Sequence, residues 1–317
     1  MLKFVLKKII SLIPILVFTT FIVFMVIHQS SGDPATFAIG GPGSPQEIFE
    51  WREIHGLNDP TLVQFANYIV GVFRGDFGLS FTRNVNIADE IIQRLPYTLR
   101  LGVMALIAPL IVVLPIGILS ATKKRSWLDT VTKYTALVGV SVPIFGLGLL
   151  LVVFFSLRLG LLPSSSVNYW NSIILPSTTL GIGIALAMIH SVRSLMTDVY
   201  RQGYIRTARA AGLSKSALRK HALRNALPPI LTAFRAHLGS FFAGIIIVEI
   251  TFAWPGIGRL FIQGILARDY PMIIGAMFMF ILFYVVINIV LDIVMWIADP
   301  RERDVQMDRF GDICGTN

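Results

Sequence analysis

Several stretches of this sequence carry no charged side chain and are long enough to cross a lipid bilayer as a helix. Among them are residues 101–122, 134–157 and 270–291. A bilayer core of roughly 30 Å is crossed by about 20 apolar residues in helical form. Only 14% of the 317 residues are charged and 55% are hydrophobic, so charge is too scarce to cover a water-soluble surface. The mean hydropathy of +0.72 agrees, and the chain is expected to be a membrane protein.

The apolar runs predict six transmembrane helices, near residues 9–29, 99–122, 134–157, 173–192, 229–250 and 271–298. The first run follows three lysines, as in a signal peptide, but it is long and no small-residue cleavage site follows it, so we expect it to be retained. Residues 30–98 then form an extracytoplasmic segment, 99–298 a five-helix core and 299–317 a cytoplasmic tail. The tail holds the single cysteine, Cys314, which excludes an internal disulfide and a thiolate metal cluster.

The distribution of basic residues decides how the net charge of +9 is interpreted. Basic side chains lie mainly in short segments between apolar runs, at residues 3–8, 123–133 and 193–224. Such segments orient membrane helices by remaining on the cytoplasmic side, so they do not indicate nucleic-acid binding. Their alternation with sparsely basic segments predicts that both termini are cytoplasmic.

The extracytoplasmic segment has signals for two short helices. Ser44-Pro45-Gln46-Glu47 is typical of a capping box with proline at the first helical position, and Gly56 ends that helix. A second helix is predicted from Asp59-Pro60 to about Val72, closed by a glycine-rich turn. Two interpretations stay open: a cap that rests on the ends of the membrane helices, and a docking surface for a substrate-delivering protein.

The cytoplasmic loop 193–228 contains the most informative pattern. Residues 204–211 have a helical composition, and Gly212 can adopt the left-handed conformation that ends a helix. Ser214 is placed to cap a second helix, about 215–226, which Pro228-Pro229 is expected to end. The loop is therefore predicted to form two helices at an angle. Small residues at the corner would allow the groove of another protein to approach the backbone closely.

The sequence resembles the permeases of ABC importers, in the form found in the dipeptide, oligopeptide and nickel permease family. The resemblance runs along nearly the whole chain and rests on short motifs in a fixed order: Gly32-Asp33-Pro34, Leu57-Asn58-Asp59-Pro60, Gly75-Asp76-Phe77-Gly78, Arg206-Thr207-Ala208-Arg209-Ala210-Ala211-Gly212-Leu213, His221-Ala222-Leu223-Arg224-Asn225-Ala226-Leu227, Trp254-Pro255-Gly256-Ile257-Gly258, Arg268-Asp269-Tyr270-Pro271 and Asp299-Pro300-Arg301. One departure is at the start of the coupling motif. The importer-wide version begins Glu-Ala-Ala, whereas this chain has Arg206-Thr207-Ala208.

The resemblance implies an all-α fold with the type I ABC-importer permease architecture, in the cytoplasmic (inner) membrane of a bacterium. It implies a non-catalytic subunit that pairs with a second permease, two cytoplasmic ATPases and an external substrate-binding protein. ATP and Mg would be bound by the ATPases, because the chain has no phosphate-binding loop and Lys215-Ser216 lacks the preceding glycines. The ATPase-coupling residues would be Arg206, Thr207, Ala208, Arg209, Ala210, Ala211, Gly212, Leu213 and Ser214.

The cargo implied by the resemblance is a di- or oligopeptide, with nickel or a metal chelate as the alternative. A rival from another class is a secondary transporter or channel that needs no ATPase. That rival predicts an inverted repeat with paired broken helices. The two halves of this sequence show no clear repeat.

The translocation pathway has four candidate residues: Glu249, Trp254, Pro255 and Gly256. Glu249 is an acid inside a predicted span, where an ionisable group faces either a cavity or a structural partner, and both roles stay open. Asp292, near the inner end of the last helix, is expected to be structural. No metal ligands are predicted, because His28, His190 and His237 show no metal-ligand spacing on one helix.

Overall fold

The computed structural model is helical and describes residues 2–29, 32–39, 41, 43–122, 126–164 and 169–298. The described part contains twelve α-helices: α1 Leu2–Gln29, α2 Pro34–Ala38, α3 Pro45–Ile54, α4 Thr61–Phe73, α5 Ile87–Thr122, α6 Trp127–Ser141, α7 Ile144–Leu151, α8 Ile174–Arg201, α9 Gly203–Ala210, α10 Lys215–Thr251, α11 Ile257–Ala267 and α12 Tyr270–Ala298. A π-helical turn, Val152–Arg158, extends α7, and a 3-10 turn, Trp170–Ile173, precedes α8. The predicted tail and its Asp299-Pro300-Arg301 motif lie outside the described residues.

Five of the described helices are long and apolar enough to cross a membrane: α1, α5, α8, α10 and α12. The third predicted helix, 134–157, is not continuous. It is divided between α6 and α7 at Val142 and Pro143, and Pro143 has an extended backbone, with φ −65° and ψ 139°. Proline lacks the N–H that an interior helical position needs, and it disfavours helical geometry in the residue before it. The predicted helical class is confirmed, with this span built from two pieces.

Two other predicted boundaries differ from the structure, and both of the helices concerned contain proline. α5 begins at Ile87 rather than near residue 99 and passes through Pro96. α10 begins at Lys215 and continues through Pro228 and Pro229, which were expected to end it. Membrane helices tolerate proline because neighbouring groups can satisfy the backbone atoms that it leaves without a partner.

The chain divides into two compact units. The first consists of the described parts of Met1–Gly102, Ser165–Ser172 and Ile245–Val285, and the second contains the remainder. In the first unit the largest fully buried side chains include Ile87, Leu101, Leu260 and Met272. In the second they include Leu175, Leu180, Met196, Ile205 and Leu238. Each unit therefore has its own apolar core.

The predicted capping box at the start of α3 is present. The backbone N–H of Glu47 donates to the Ser44 hydroxyl at 3.2 Å, and the backbone N–H of Ser44 donates to Glu47 Oε2 at 2.8 Å. The hydrogen bond from the Ser44 backbone, followed by that from its hydroxyl, lowers the pKa of the Glu47 carboxyl. α3 ends at Ile54, and Gly56 has φ +67°, as predicted for the stop residue.

Ion pairs link helices in the interior of the second unit. Arg193 on α8 pairs with Asp129 on α6 at 2.5 Å, and Asp129 is 3% exposed. Arg235 on α10 pairs with Asp292 on α12 at 2.5 Å, and its Nε donates to Asn288 Oδ1 at 2.7 Å. Asp292 therefore has the structural surroundings that the sequence predicted for it.

Candidate functional site

The corner between α9 and α10 has the geometry that the sequence predicts. Gly212 has φ +82°, in the left-handed region that glycine adopts without a steric penalty. The N–H of Gly212 donates to Arg209 O at 3.1 Å, and that of Leu213 donates to Ala208 O at 3.2 Å, so α9 is closed by backbone bonds. The Ser214 hydroxyl accepts from the N–H of Ala217 at 3.2 Å and caps α10. The chain therefore turns at a defined point.

Nearly all of the corner is open to the surroundings of the chain. In α9 only Ile205 is buried, with no exposed surface, whereas Arg206, Thr207, Arg209 and Ala210 are exposed. A Cβ built on Gly212 would have no atom within 4 Å. The small residues at the corner therefore serve no packing need within the described chain, and they leave backbone accessible.

The corner is also strongly basic. Eight of the residues in 193–228 are arginine or lysine, and Asp198 is the single acid among them. Arg193 is paired with Asp129, while Arg206, Arg209, Lys215 and Arg219 are exposed. The corner thus presents a positive surface around an uncharged turn. α10 continues from this corner as one helix of 37 residues, about 55 Å long.

Glu249 lies at a junction of three helices in the first unit and is fully buried. Its Oε1 accepts from the hydroxyl of Thr98 on α5 at 2.7 Å, and its Oε2 accepts from the N–H of Arg259 on α11 at 3.0 Å. The Thr98 oxygen in turn accepts from the N–H of Ile257 at 2.8 Å. A helix begins with N–H groups that have no partner inside the helix, and a carboxylate there is favourable. Glu249 and Thr98 together cap α11.

The glycines of the Trp254-Pro255-Gly256-Ile257-Gly258 motif are explained by this cap. A Cβ on Gly256 would overlap the Glu249 carboxylate, and one on Gly258 would lie 2.8 Å from Ile246 Cα. Trp254 is 6% exposed, and its indole N–H donates to Tyr97 O at 3.1 Å. The four pathway candidates thus lie together, with Pro255 half-buried and the others buried. These contacts support the structural role of Glu249, and the pathway role stays a prediction.

A second carboxylate junction in the first unit was not singled out from the sequence. Asp269 is fully buried, and its Oδ2 accepts from the hydroxyl of Ser80 at 2.5 Å and from the hydroxyl and N–H of Thr82 at 2.9 and 3.1 Å. Its Oδ1 accepts from the N–H of Met272 at 3.3 Å and so caps α12. The local signal was an aspartate just before a helix. No sequence pattern indicated its partners Thr82 and Ser80, which are 187 and 189 residues away.

The histidines do not form a metal site within the described chain. His28 makes hydrogen-bond contacts through Nδ1 to Phe24 O at 2.8 Å and through Nε2 to Gln64 Oε1 at 3.1 Å. The contact with Gln64 joins α1 to α4, whereas that with Phe24 lies within α1. In the described residues no group of three or more His, Cys, Asp or Glu side chains is arranged to hold a metal ion.

An apolar cavity of about 260 Å³ lies in the second unit among α5, α8, α10 and α12. All of its lining residues are apolar: Leu106, Pro109, Val113, Met188, Leu227, Ile230, Leu231, Phe234 and Leu291. A charged or zwitterionic solute would lose its hydration there without gaining hydrogen bonds. The cavity is therefore unsuited to carry a polar solute.

Two family descriptions match the sequence over most of its length. Residues 113–304 match the binding-protein-dependent transport system inner membrane component, and residues 1–102 match the N-terminal part of the same kind of membrane component. The glutathione transport system permease protein GsiC of Escherichia coli strain K12 is 38% identical over 305 residues, which is 96% of this chain and 99% of that protein. GsiC of Salmonella typhi is 39% identical over 304 residues, with the same coverage of both chains.

A solved structure shares the fold at lower sequence identity. A chain of the inward-facing MetNI methionine ABC transporter, in its CY5 native crystal form, aligns with a TM-score of 0.53 and 18% identity. The alignment covers 66% of this chain and 96% of that chain. The fold class predicted from the sequence, that of an ABC-importer permease, is thereby confirmed.

Proposed function

Since the chain belongs to the family of binding-protein-dependent transport system inner membrane components, as a permease of the peptide and nickel group, we propose that it imports small peptides together with a second permease. The observation that carries the proposal is its identity of 38% to a glutathione transport permease over nearly the full length of both chains. Glutathione is itself a small peptide. The alternative cargo, nickel or a metal chelate, is the one that an uptake experiment has to exclude.

The family fixes the class of transport. The chain is a non-catalytic, multi-pass subunit of an ABC importer in the bacterial inner membrane, and ATP is hydrolysed by partner ATPases. An importer driven by ATP needs a mechanical connection between the ATPase and the membrane helices. The ATPase-independent transporter considered from the sequence has no such requirement.

The α9–α10 corner supplies that connection in our proposal. We assign residues Arg206–Ser214 to the ATPase contact because they are exposed, basic and closed by a left-handed glycine. An ATPase groove can approach the backbone at Gly212, where a Cβ would meet no atom of this chain within 4 Å. The continuity of α10 through Pro228 and Pro229 then carries the movement into the membrane. Substrate and nucleotide must favour different states of the importer for this movement to drive transport.

The pathway itself is assigned to the surface that this chain shares with a second permease. The apolar cavity of the second unit offers no polar partner to a zwitterionic peptide. The turn at Trp254, Pro255 and Gly256 is the part of the first unit that we assign to the pathway wall. The buried Glu249 supports the shape of this turn from inside the first unit. In this arrangement Glu249 positions the wall and has no contact with the peptide.

The remaining partner is an external binding protein, which we place on the residues of the segment 30–98 that face water. This arrangement requires both termini to be cytoplasmic, as the alternation of basic segments predicts. α3 is suited to a polar contact, because Glu47, Glu50, Arg52 and Glu53 lie within its ten residues.

The test is uptake by proteoliposomes that contain this permease, its partner permease, both ATPases and the binding protein. Labelled glutathione, a labelled dipeptide and nickel ions would be compared, each with ATP and with a non-hydrolysable analogue inside the vesicles. The proposal expects accumulation of a peptide with ATP only. Uptake of nickel without peptide would overturn the cargo, and uptake that is indifferent to ATP would overturn the mechanism.

A further inference from the structure

α4 has an exposed apolar face that is unusual for a segment expected to lie in water. Its sequence, Thr61–Phe73, contains no charged residue over 13 positions. Leu62 is 65% exposed, Val63 44%, Val70 49% and Phe73 66%. At 100° per residue these four positions fall within about 100° of arc, so they form one continuous stripe. A helix face in contact with water normally carries charged residues.

The opposite face of α4 is packed against α1. Phe65 lies with its ring edge-on to Phe21 at 5.0 Å and to Phe24 at 5.4 Å, measured between ring centroids. Tyr68 packs on Phe24 as well, and the Gln64 side chain contacts His28. The two faces of α4 are therefore distinct: one is covered by α1, and the other has no cover within the described chain.

The position along α1 at which α4 packs indicates what contacts the exposed face of α4. α1 is a membrane span, and its apolar window runs from Leu12 to Gln29. Phe21 lies eight positions before the end of that window, about 12 Å along the helix. Phe65 therefore contacts α1 inside its apolar window and not at the polar end of the span. On α1, Ile22 and Val26 are 46% and 63% exposed and, at 100° per residue, lie on the face turned away from Phe21 and Phe24, so α1 has an apolar face of its own that α4 does not contact.

The flanking residues agree with this placement. Charged residues occur just outside both ends of α4, at Asp59 before it and at Arg74 and Asp76 after it, and all three are exposed. Charges at the ends of an apolar helix stay at the polar boundary of a membrane. The helix, at about 20 Å, is too short to span a hydrocarbon core of roughly 30 Å.

We propose that α4 is embedded in the membrane leaflet on the extracytoplasmic side, with Leu62, Val63, Val70 and Phe73 in contact with lipid acyl chains. The occupant of the stripe is lipid rather than a partner protein, because α4 is uncharged and packs on α1 well inside the apolar window of that span. α3, with its four charged residues, remains in water. The segment 30–98 is then a layer that is partly inserted in the membrane, and α3 is the helix left available to a binding protein.

The test uses spin labels at single cysteines, introduced after Cys314→Ser removes the native cysteine. The complete importer is reconstituted in liposomes, and the collision of each label with oxygen and with a water-soluble nickel complex is measured by electron paramagnetic resonance. Val63→Cys and Val70→Cys report on the stripe. Ile22→Cys on α1 is the lipid-facing control, and Glu53→Cys on α3 is the water-facing control.

The proposal expects labels at Val63 and Val70 to collide with oxygen more than with nickel, as at Ile22, and expects the reverse at Glu53. Collisions with nickel at the level of Glu53 would show that the stripe lies in water. Labels protected from both oxygen and nickel would show that a protein covers it. Either result overturns the proposal, and neither depends on which cargo the importer carries.

Discussion

Thr98 and Glu249 are 151 residues apart in the sequence and share a buried hydrogen bond of 2.7 Å. Through this bond α5 and α10 hold the start of α11, whose N–H groups at Ile257 and Arg259 are satisfied by the same pair. A carboxylate at membrane depth is costly unless it has partners. Here its partners are the Arg259 N–H of the helix that it caps and the Thr98 hydroxyl of α5, which gives it a structural reason to be present.

Replacing Glu249 by alanine is expected to destabilise the first unit. The Arg259 N–H and the Thr98 hydroxyl lose their acceptor, and each buried donor left unsatisfied costs about 1–3 kcal/mol. The melting temperature of the purified permease in detergent should fall by several degrees. Thr251→Ala, on the same helix, is the matched control, because that hydroxyl bonds only to its own helix at Ile247 O.

Uptake normalised to folded complex separates the two roles of Glu249. A structural role predicts that the folded fraction of Glu249→Ala transports at nearly the normal rate. A variant that is as stable as the wild-type chain but inactive in uptake would contradict the capping role and establish a pathway role.

Gly212→Leu is expected to abolish ATPase docking without unfolding the permease. A Cβ at this position meets nothing in the chain, so the folded-state cost is limited to the left-handed conformation, about 1–2 kcal/mol. The side chain instead fills the surface assigned to the ATPase groove. Co-purification of the ATPases and ATP-driven uptake measure the loss, which should be at least about tenfold, equivalent to 1.4 kcal/mol of binding.

Gly160→Leu is the control for backbone strain. Gly160 has φ +62° and also has no atom within 4 Å of a built Cβ, but it lies outside the corner. Its replacement should leave ATPase binding unchanged. Gly212→Asn tolerates the left-handed conformation better, so docking that Asn restores in full would point to strain rather than to close approach.

Asp269→Ala is expected to release the turn at Ser80 and Thr82 from the start of α12. The buried carboxylate accepts four hydrogen bonds, and their loss should cost several kcal/mol. Limited proteolysis should then cut faster within residues 79–86. Asp76→Ala removes one exposed bond, to the N–H of Gly78, and should leave the rate nearly unchanged. Equal cleavage of both variants would contradict the anchoring role.

Arg235→Ala should destabilise the second unit more than Arg52→Ala destabilises the first. Asp292 is 3% exposed while the Arg235 side chain is 34% exposed, and removing the arginine takes one partner from a buried carboxylate at a cost of about 1–3 kcal/mol. The side chain of Arg52 in the pair with Asp33 is 42% exposed, and such pairs contribute about 0–1 kcal/mol. Thermal unfolding of each variant measures the difference. The double variant Arg235→Met/Asp292→Leu should regain most of the lost stability, and a failure to do so would show that more than the charge pair is lost.

Local patterns predicted the helical class, the α3 capping box and the α9–α10 corner, because each depends on residues within a few positions of one another. Helix boundaries near proline differed from the structure in two ways: one proline interrupts a helix that was predicted to be continuous, and other prolines lie inside helices. Pro143 divides a predicted span, whereas Pro96, Pro228 and Pro229 lie within helices. Whether a helix continues through a proline depends on what satisfies the carbonyl four residues before it, and that environment is set by tertiary packing rather than by the local sequence.

The motifs of the first unit were visible in the sequence without their roles. Trp254-Pro255-Gly256 was considered as part of the pathway, and its glycine turns out to make room for the Glu249 carboxylate. Asp269 belonged to a motif of the resemblance, but nothing in its neighbourhood predicted Ser80 and Thr82 as partners. Hydrogen bonds across more than 150 residues depend on how the chain folds back.

The sequence by itself determined which segments are able to enter a membrane, because this depends on the spacing of charged residues. It also determined the corner at Gly212, because a left-handed glycine sets where a helix ends. Only the tertiary structure decided that Glu249 is a helix cap, that Asp269 anchors a distant turn and that α4 has one face without a cover. Burial, partners and depth belong to side chains brought together from separate parts of the chain, and the linear pattern does not contain them.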